Sequence, residues 1–461
     1  MAGTRTGAGR TAAVAGAGLS GLAAAHRLRQ AGWEVTVFEA GESVGGRVQT
    51  HRADGYSVDL GASAFSGAYE PYIELVEELE LTYRPVSPYI AIPRDGREQL
   101  LCMDRMVRDG LRTPLLSSSA KLRLLRLGLD VALAKARGRL DYSDMRKAAP
   151  LDTETARDYA LRKLSPEIDQ YLCEPIVRTM LIADTDVVSK VELFSGVANV
   201  MATRIYTILG GQGLVPERLA EGLDVRLKAP VERIAFEGQG VEVTHGNAEN
   251  GSTTERYDAA VVTVPLPVAV EVCPDHQALL SPLAESLGYT RCLKVAIGFS
   301  ETPNTPAFLV QFPSSEDADI ALLFLDHNKS ADRAPAGHGL IDACWETDAS
   351  TRMFDADDEA IVEHTLRTIL RLYPELDGRV DFTHVTRWSR ALPHTAVGAY
   401  RKIGELNAAL DPSSPIQFAA DYLSAAGQNT CVSLGNRAAE NLVASARTRH
   451  PEASRVVESA R

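Results

Sequence analysis

Residues 11–40 read TAAVAGAGLSGLAAAHRLRQAGWEVTVFEA, and the glycines divide the stretch. Thr11 to Ala15 is a short apolar run. Gly16, Gly18 and Gly21 follow with the spacing GxGxxG, and the apolar positions of LAAAHRLRQAG predict a helix ending at Gly32 as its C-cap. Glu34 to Ala40 has the β-branched composition of a buried parallel strand, so the whole stretch is a βαβ unit. In that setting the three glycines do different things. Gly16 permits the tight turn, Gly18 lets backbone N–H groups approach a pyrophosphate at the helix N-terminus, and Gly21 lets helix and strand pack closely. Glu39 closes the second strand, where a carboxylate accepts hydrogen bonds from ribose hydroxyls. Gly16, Gly18, Gly21, Glu39 and the adjacent Ala40 are therefore the expected dinucleotide contacts of this unit.

The surrounding chain has room for such a domain and more. Its 461 residues allow two to four domains at roughly 100–200 residues each. Hydrophobic residues make up 45% and charged residues 24%, which excludes disordered, collagenous and coiled-coil classes. With 48 Lys and Arg against 61 Asp and Glu the formal charge is −13, which repels nucleic acid, so none is expected as a partner. The cysteines at 102, 173, 273, 292, 344 and 431 form no CxxC pair and have no histidine at zinc-ligand spacing, so the reading is reduced thiols, a cytoplasmic protein and no metal. No apolar run approaches the roughly 18–20 residues of a membrane span. The first residues superficially resemble an export signal, but the glycine spacing explains that apolar run better.

Further along, residues 113–201 turn rich in Leu, Arg, Lys and Ala and predict a helical insertion, whose basic stretch Lys121–Arg139 is expected to be a solvated helix face. Residues 225–263 return to strand pieces. Strands such as LKVAIGF and DIALLFLD then alternate with the helix DDEAIVEHTLRTILRLYP, and the chain closes with strand, loop and helix. The expected architecture is α/β (α+β) in two domains. A Rossmann-like dinucleotide domain is built from 1–85, 205–290 and 390–461, and a mixed-sheet plus helical substrate domain from 86–204 and 291–389.

The sequel to Glu39, GESVGGRVQT, places Gly45, Gly46 and Arg47 at a spacing that resembles the flavin monoamine oxidase and protoporphyrinogen oxidase superfamily. YSVDLGASAF with Asp59, Gly61 and Ala62, GGQGLVPERLAEGL, KAPVERI with Val231, YDAAVVTVPLP, IQFAADYL with Asp421, and CVSLGNRAAENL carry the same resemblance across nearly the whole chain. It implies bound FAD. Arg47 would meet the diphosphate, Gly46, Gly61 and Ala62 would run beside the flavin, the Val231 backbone would meet the adenine, and Asp421 would hold the ribityl chain or pyrophosphate. Ala420 stands where the family usually has Gly. A helix beginning near Val432 would aim its N-terminal N–H groups at the flavin, favouring the negative charge of its reduced form.

The resemblance also frames the chemistry. Ala399 occupies the place where several amine oxidases carry a flavin-linking Cys, so the FAD is expected to be non-covalent. Tyr400 matches one wall of the family's aromatic amine cage, while the GQNT stretch, residues 427–430, lacks the second aromatic. In CLKVAIGF, Lys294 shares one strand face with Cys292, opposite Leu293, Val295 and Ile297; relatives often use a lysine here to hold a water at the flavin. His394 is a candidate general base, with Trp388 and Tyr89 as weaker candidates to face substrate. Lys294, Tyr400 and His394 are thus the candidate catalytic residues. The expected reaction is oxidation of a small-molecule substrate, an amine for preference, by hydride transfer to flavin with O2 as reoxidant. A protoporphyrinogen-oxidase-like or C–C desaturating enzyme, a redox-neutral flavin-bound cyclase or isomerase, and a non-enzymatic FAD-binding protein are the rivals. A homodimer is compatible with all of them.

Overall fold

The computed structural model describes residues 9–141, 144–202, 204–246 and 251–449; the export-like start, residues 1–8, lies outside them. The glycine-punctuated stretch forms a strand β1 (Thr11–Ala15), a helix α1 (Leu19–Gln30) and a strand β2 (Glu34–Phe38). β1 is central to a five-stranded sheet, all parallel, in the order Asp224–Arg226, β2, β1, Ala259–Val262, Ile416–Phe418. Every residue of Ala259–Val262 and Ile416–Phe418 is buried, as a parallel sheet covered on both faces requires. The C-terminal helix Gln428–Arg449 packs on α1, and small residues make this close: a Cβ on Gly435 would sit 2.4 Å from the Ser20 carbonyl oxygen.

A second sheet of seven strands runs in the order Val380–Trp388, Cys292–Phe299, Gly339–Trp345, Ile320–Leu325, Ala307–Gln311, Tyr89–Arg94, Arg97–Cys102. It is mixed, since Ala307–Gln311 and Tyr89–Arg94 pair in parallel while the other neighbours are antiparallel. Its two faces serve different cores. Leu293, Val295, Ile297 and Phe299 pack with Trp345 and the helix Asp358–Leu372, whereas Cys292 and Cys344 pack with the helices of residues 156–202.

The outer face of the helical segment is exposed as expected, but its composition differs. The helix Ser118–Ala136 buries Ala120, Leu127, Val131 and Ala134 but turns Leu122, Leu125, Leu129 and Leu133 outward, 43–70% exposed. Its outer face is an apolar stripe among basic residues rather than a polar face, because the leucines recur at helical spacing on both sides. Among the described residues no helix is long and apolar enough to cross a membrane.

Candidate active site

The turn after β1 is built around close approach. Gly16 has φ +103° and its N–H donates to the Phe38 carbonyl at 2.8 Å; a Cβ on Gly21 would lie 2.1 Å from the Gly16 carbonyl oxygen. Gly18 is different, because a Cβ there would meet nothing within 4 Å. The space over the α1 N-terminus is open, and no side chain caps that end. Glu39 follows β2 and accepts from the Ala17 and Gly41 amides, both at 2.8 Å. Beside it, the Ala229 and Lys228 amides donate to the Glu39 and Gly41 carbonyls, placing half-buried Val231 and exposed Ala40 at this same end.

The Gly45–Arg47 segment closes on the turn. Gly45 N–H donates to Ala17 at 2.8 Å, and Gly46, at φ +56°, passes so near that a Cβ would stand 3.3 Å from the Gly18 Cα. Arg47 and Asp421, expected as two independent cofactor contacts, meet each other: Arg47 Nη1 lies 2.8 Å from Asp421 Oδ2 and donates to the Ala391 carbonyl at 2.7 Å. Burial pushes the guanidinium down, yet Asp421 outweighs it and holds Arg47 above its ordinary value. Asp421 is 3% exposed and its second oxygen, Oδ1, has no hydrogen-bond partner. A buried carboxylate oxygen without a donor costs free energy, and a ribityl or ribose hydroxyl satisfies it. Together with the open space at Gly18, this orphaned oxygen shows that the residues present fit FAD.

The Asp59–Ser63 segment is held from one side by its backbone oxygens. Lys294 Nζ donates to the Asp59 carbonyl, to Gly61 at 3.1 Å and to Ser63 Oγ at 2.8 Å, and pairs with Asp342 Oδ2 at 2.8 Å. Trp388 Nε1 donates to Leu60 at 2.7 Å, and Lys329 Nζ to Ser63 at 3.1 Å. The Arg47 carbonyl accepts the Ala62 amide at 3.1 Å, so tightly that a Cβ on Gly61 would stand 2.0 Å from it. Beneath lies a buried charge network missed in the sequence. Asp59 meets Arg333 at 2.9 Å and Lys329 at 3.7 Å, and Lys329 meets Asp326 at 2.8 Å, all with 0% side-chain exposure. Burial raises the Asp59 pKa, but Arg333, Lys329 and Lys294 together hold it below the ordinary value. Lys294 is likewise held up by Asp342 against burial. The residues 326–333 have the polar composition of a surface loop; only the Asp326 and Lys329 spacing of three hints at a local pair.

Three residues stand elsewhere than their sequence context predicts. Tyr400 is fully buried, its hydroxyl donating to Glu192 and its amide to Asp152 Oδ2 at 2.9 Å. It sits at the start of the helix Ala399–Ala409, inside the core, and forms no wall of an open cage. The C-terminal helix begins at Gln428, so Val432 lies one turn in and is fully buried. The Cys431 N–H already donates to the Gly427 carbonyl at 3.0 Å, so Val432 lies inside the helix and its N-terminal end lies before Cys431. Lys294 is buried rather than free, with its N–H groups all engaged. Gln428, from GQNT, donates to Tyr72 at 2.9 Å and to Gln212 at 3.2 Å, so it too faces inward. His394 is half-buried on a short strand pair with Gly288, and burial holds its imidazole below the ordinary value. Tyr89 accepts from Arg105 at 3.0 Å. Ala399 is buried and has no thiol, in keeping with non-covalent FAD.

Comparison with known proteins agrees with this geometry. The chain is 23% identical to the coproporphyrinogen III oxidase of Bacillus subtilis over 92% of this chain and 96% of that protein. It is 29% identical to polyamine oxidase 4 of Oryza sativa subsp. japonica, over 55% of this chain and 51% of that one. Cyclohexylamine oxidase from Brevibacterium oxydans shares the fold at a TM-score of 0.76 with 20% identity, covering 95% of this chain and 99% of that one. Residues 19–443 match the family model described as flavin containing amine oxidoreductase. With that match over most of its length, and a cleft whose glycines, Glu39 and Asp421 suit FAD, this chain belongs to the flavin containing amine oxidoreductase family and is an FAD-dependent oxidoreductase.

Proposed function

We propose that the protein oxidises a small organic substrate at a carbon bonded to nitrogen, an amine to an imine for preference, with O2 as the final acceptor. The bound flavin supplies the two-electron acceptor. The observation that carries this reading is Lys294, a buried cation tied to Asp342 and gripping the backbone of Asp59–Ser63, the segment that resembles the family's flavin-side strand. Its N–H groups fix that backbone by donating to the Gly61 carbonyl and the Ser63 hydroxyl. His394 is the candidate proton acceptor: burial holds its imidazole below the ordinary value, so the ring is presented as a neutral acceptor. A neutral amine is the reactive form, so the rate should rise with pH through the substrate's own pKa.

A second reading is oxidation of a porphyrinogen, at carbons conjugated with pyrrole nitrogen. Burial of Tyr400 and the inward turn of Gln428 favour it, because neither side of an aromatic cage is then present to select amines. A relative matched over nearly the full length of both chains is a coproporphyrinogen III oxidase, which favours it as well. Anaerobic titration of the purified holoprotein with primary amines, polyamines and coproporphyrinogen separates the two. Bleaching of the flavin absorbance by an amine supports the first reading, and bleaching by the porphyrinogen alone replaces it with the second. No bleaching by any of them refutes both and points to a redox-neutral use of the flavin.

A further inference from the structure

Along the edge strand Ile416–Phe418, a concavity of about 600 Å³ opens between the Asp411–Pro415 loop, the C-terminal helix and the helix end at Leu410. That volume is in the range of small-molecule sites, about 300–1,000 Å³. One end is apolar and aromatic: His276 packs edge-on against Phe418 with ring centroids 5.0 Å apart and lies 5.4 Å from Phe236, with Leu279 beside them. The other end is basic, with Arg146 and Arg437 both lining it.

The two arginines differ in their partners. Arg146 is held by Asp144, with Nη2 2.7 Å from Oδ2. Arg437 makes no ion pair among the described residues, and its Nη2 donates only to the neutral Asn407 Oδ1 at 3.2 Å. Burial and then the neighbouring Arg146 charge disfavour its guanidinium, against a smaller pull from Asp144. Asp411, also at the rim, accepts from the Ser413 amide and hydroxyl, both at 2.8 Å, within its own turn. The Nδ1 of His276 is buried without a partner. A partly buried cation with no ion pair among the described residues and an aromatic cluster, lining one cavity of this size, are the complement of an anionic head on a flat apolar body.

We propose that this concavity is a second ligand site, taking a small organic monoanion whose carboxylate pairs with Arg437 and whose apolar or aromatic body lies against Phe236, His276 and Phe418. It is distinct from the cofactor cleft, since neither the Gly16–Gly21 turn nor Arg47 nor Asp421 lines it. It is not isolated from that cleft. Asn407, the partner of Arg437, also donates to the Leu423 carbonyl at 2.9 Å, within the Asp421–Leu423 turn.

The test uses the holoprotein with 4-fluorobenzoate as probe, followed by fluorine NMR, with 4-fluorobenzyl alcohol and inorganic phosphate as controls. Saturable binding of 4-fluorobenzoate is expected, tenfold or more weaker in Arg437→Gln, largely retained in Arg437→Lys and lost in Leu279→Trp, which fills the apolar end. The uncharged alcohol and the phosphate should each bind at least tenfold more weakly. Equal affinity in wild type, Arg437→Gln and Leu279→Trp would place the probe elsewhere and overturn the proposal. So would absence of saturable binding, or phosphate binding as tightly as the benzoate. If Arg437→Gln does not fold, the Arg437→Lys and Leu279→Trp pair decides the question.

Discussion

Gly18 and Gly21 stand three residues apart and should fail differently when substituted. Val at position 18 has open space around its Cβ and a backbone, φ −72° and ψ 173°, that any residue adopts. Gly18→Val should therefore fold at a cost of about 1 kcal/mol yet purify without FAD, because its methyls fill the space a pyrophosphate needs. Gly21→Val places a Cβ against the Gly16 carbonyl and should cost more than about 3 kcal/mol, seen as loss of soluble protein or of the thermal transition. Absorbance at the flavin bands and thermal melts of the two purified variants distinguish the outcomes. Lys294 poses the opposite problem, since removing its charge leaves Asp342 buried and unpaired. Lys294→Met should lose about 3–5 kcal/mol, and the Lys294→Met, Asp342→Leu double variant should recover much of it. If Lys294 also assists reoxidation, both variants should reoxidise slowly in stopped-flow mixing with O2; a wild-type rate in the double variant would remove that role. Glu346 gives a pH signature. It caps the helix Thr347–Met353 by accepting from the Asp348 and Ala349 amides, but burial pushes its carboxyl up to about 7. With a folded value above the unfolded one of about 4.3, its contribution is full below that value and is lost as pH rises through about 7. Glu346→Gln should therefore flatten the fall in melting temperature between about pH 5 and pH 8.

At the scale of elements, the contact of α1 with the C-terminal helix depends on small side chains. Gly435→Leu would drive a side chain into the Ser20 carbonyl and the Ala23 methyl. It should cost at least about 1–3 kcal/mol in denaturant melts and loosen the turn that carries the α1 N-terminus. The helix Ser118–Ala136 predicts the reverse. Leu125 is 70% and Leu129 53% exposed, so Leu125→Gln with Leu129→Gln should shift stability by no more than about 0.5 kcal/mol per site. The βαβ unit and this helix were legible because their periodicity is local. The start of the C-terminal helix was not: Gln428 and Asn429 read as part of a loop, and their hydrogen bonds with Tyr72 and Gln212 hold them at the helix start.

Across the whole molecule, the cofactor cleft joins residues hundreds of positions apart, from Gly16 to Asp421, so FAD and the fold should stabilise each other. Free FAD at about 100 times its Kd should add about 2.7 kcal/mol to stability, read as a rise in the melting temperature of the stripped protein on titration. Acid precipitation should leave the yellow colour in the supernatant, since position 399 is a buried alanine. The sequence by itself determined the dinucleotide unit and the face of the strand that carries Lys294, because glycine spacing and strand alternation are short-range properties of the chain; the expectation of FAD rested on the resemblance of motifs spread along its length. Only the tertiary structure decided what those side chains meet. It closed Arg47 onto Asp421, buried Tyr400 on Glu192, and gathered Asp59, Asp326, Lys329, Arg333, Lys294 and Asp342 into neutralising contacts. Charges from a polar loop and from separate strands can be buried only when they meet each other, and no local pattern records where distant strands will bring them together.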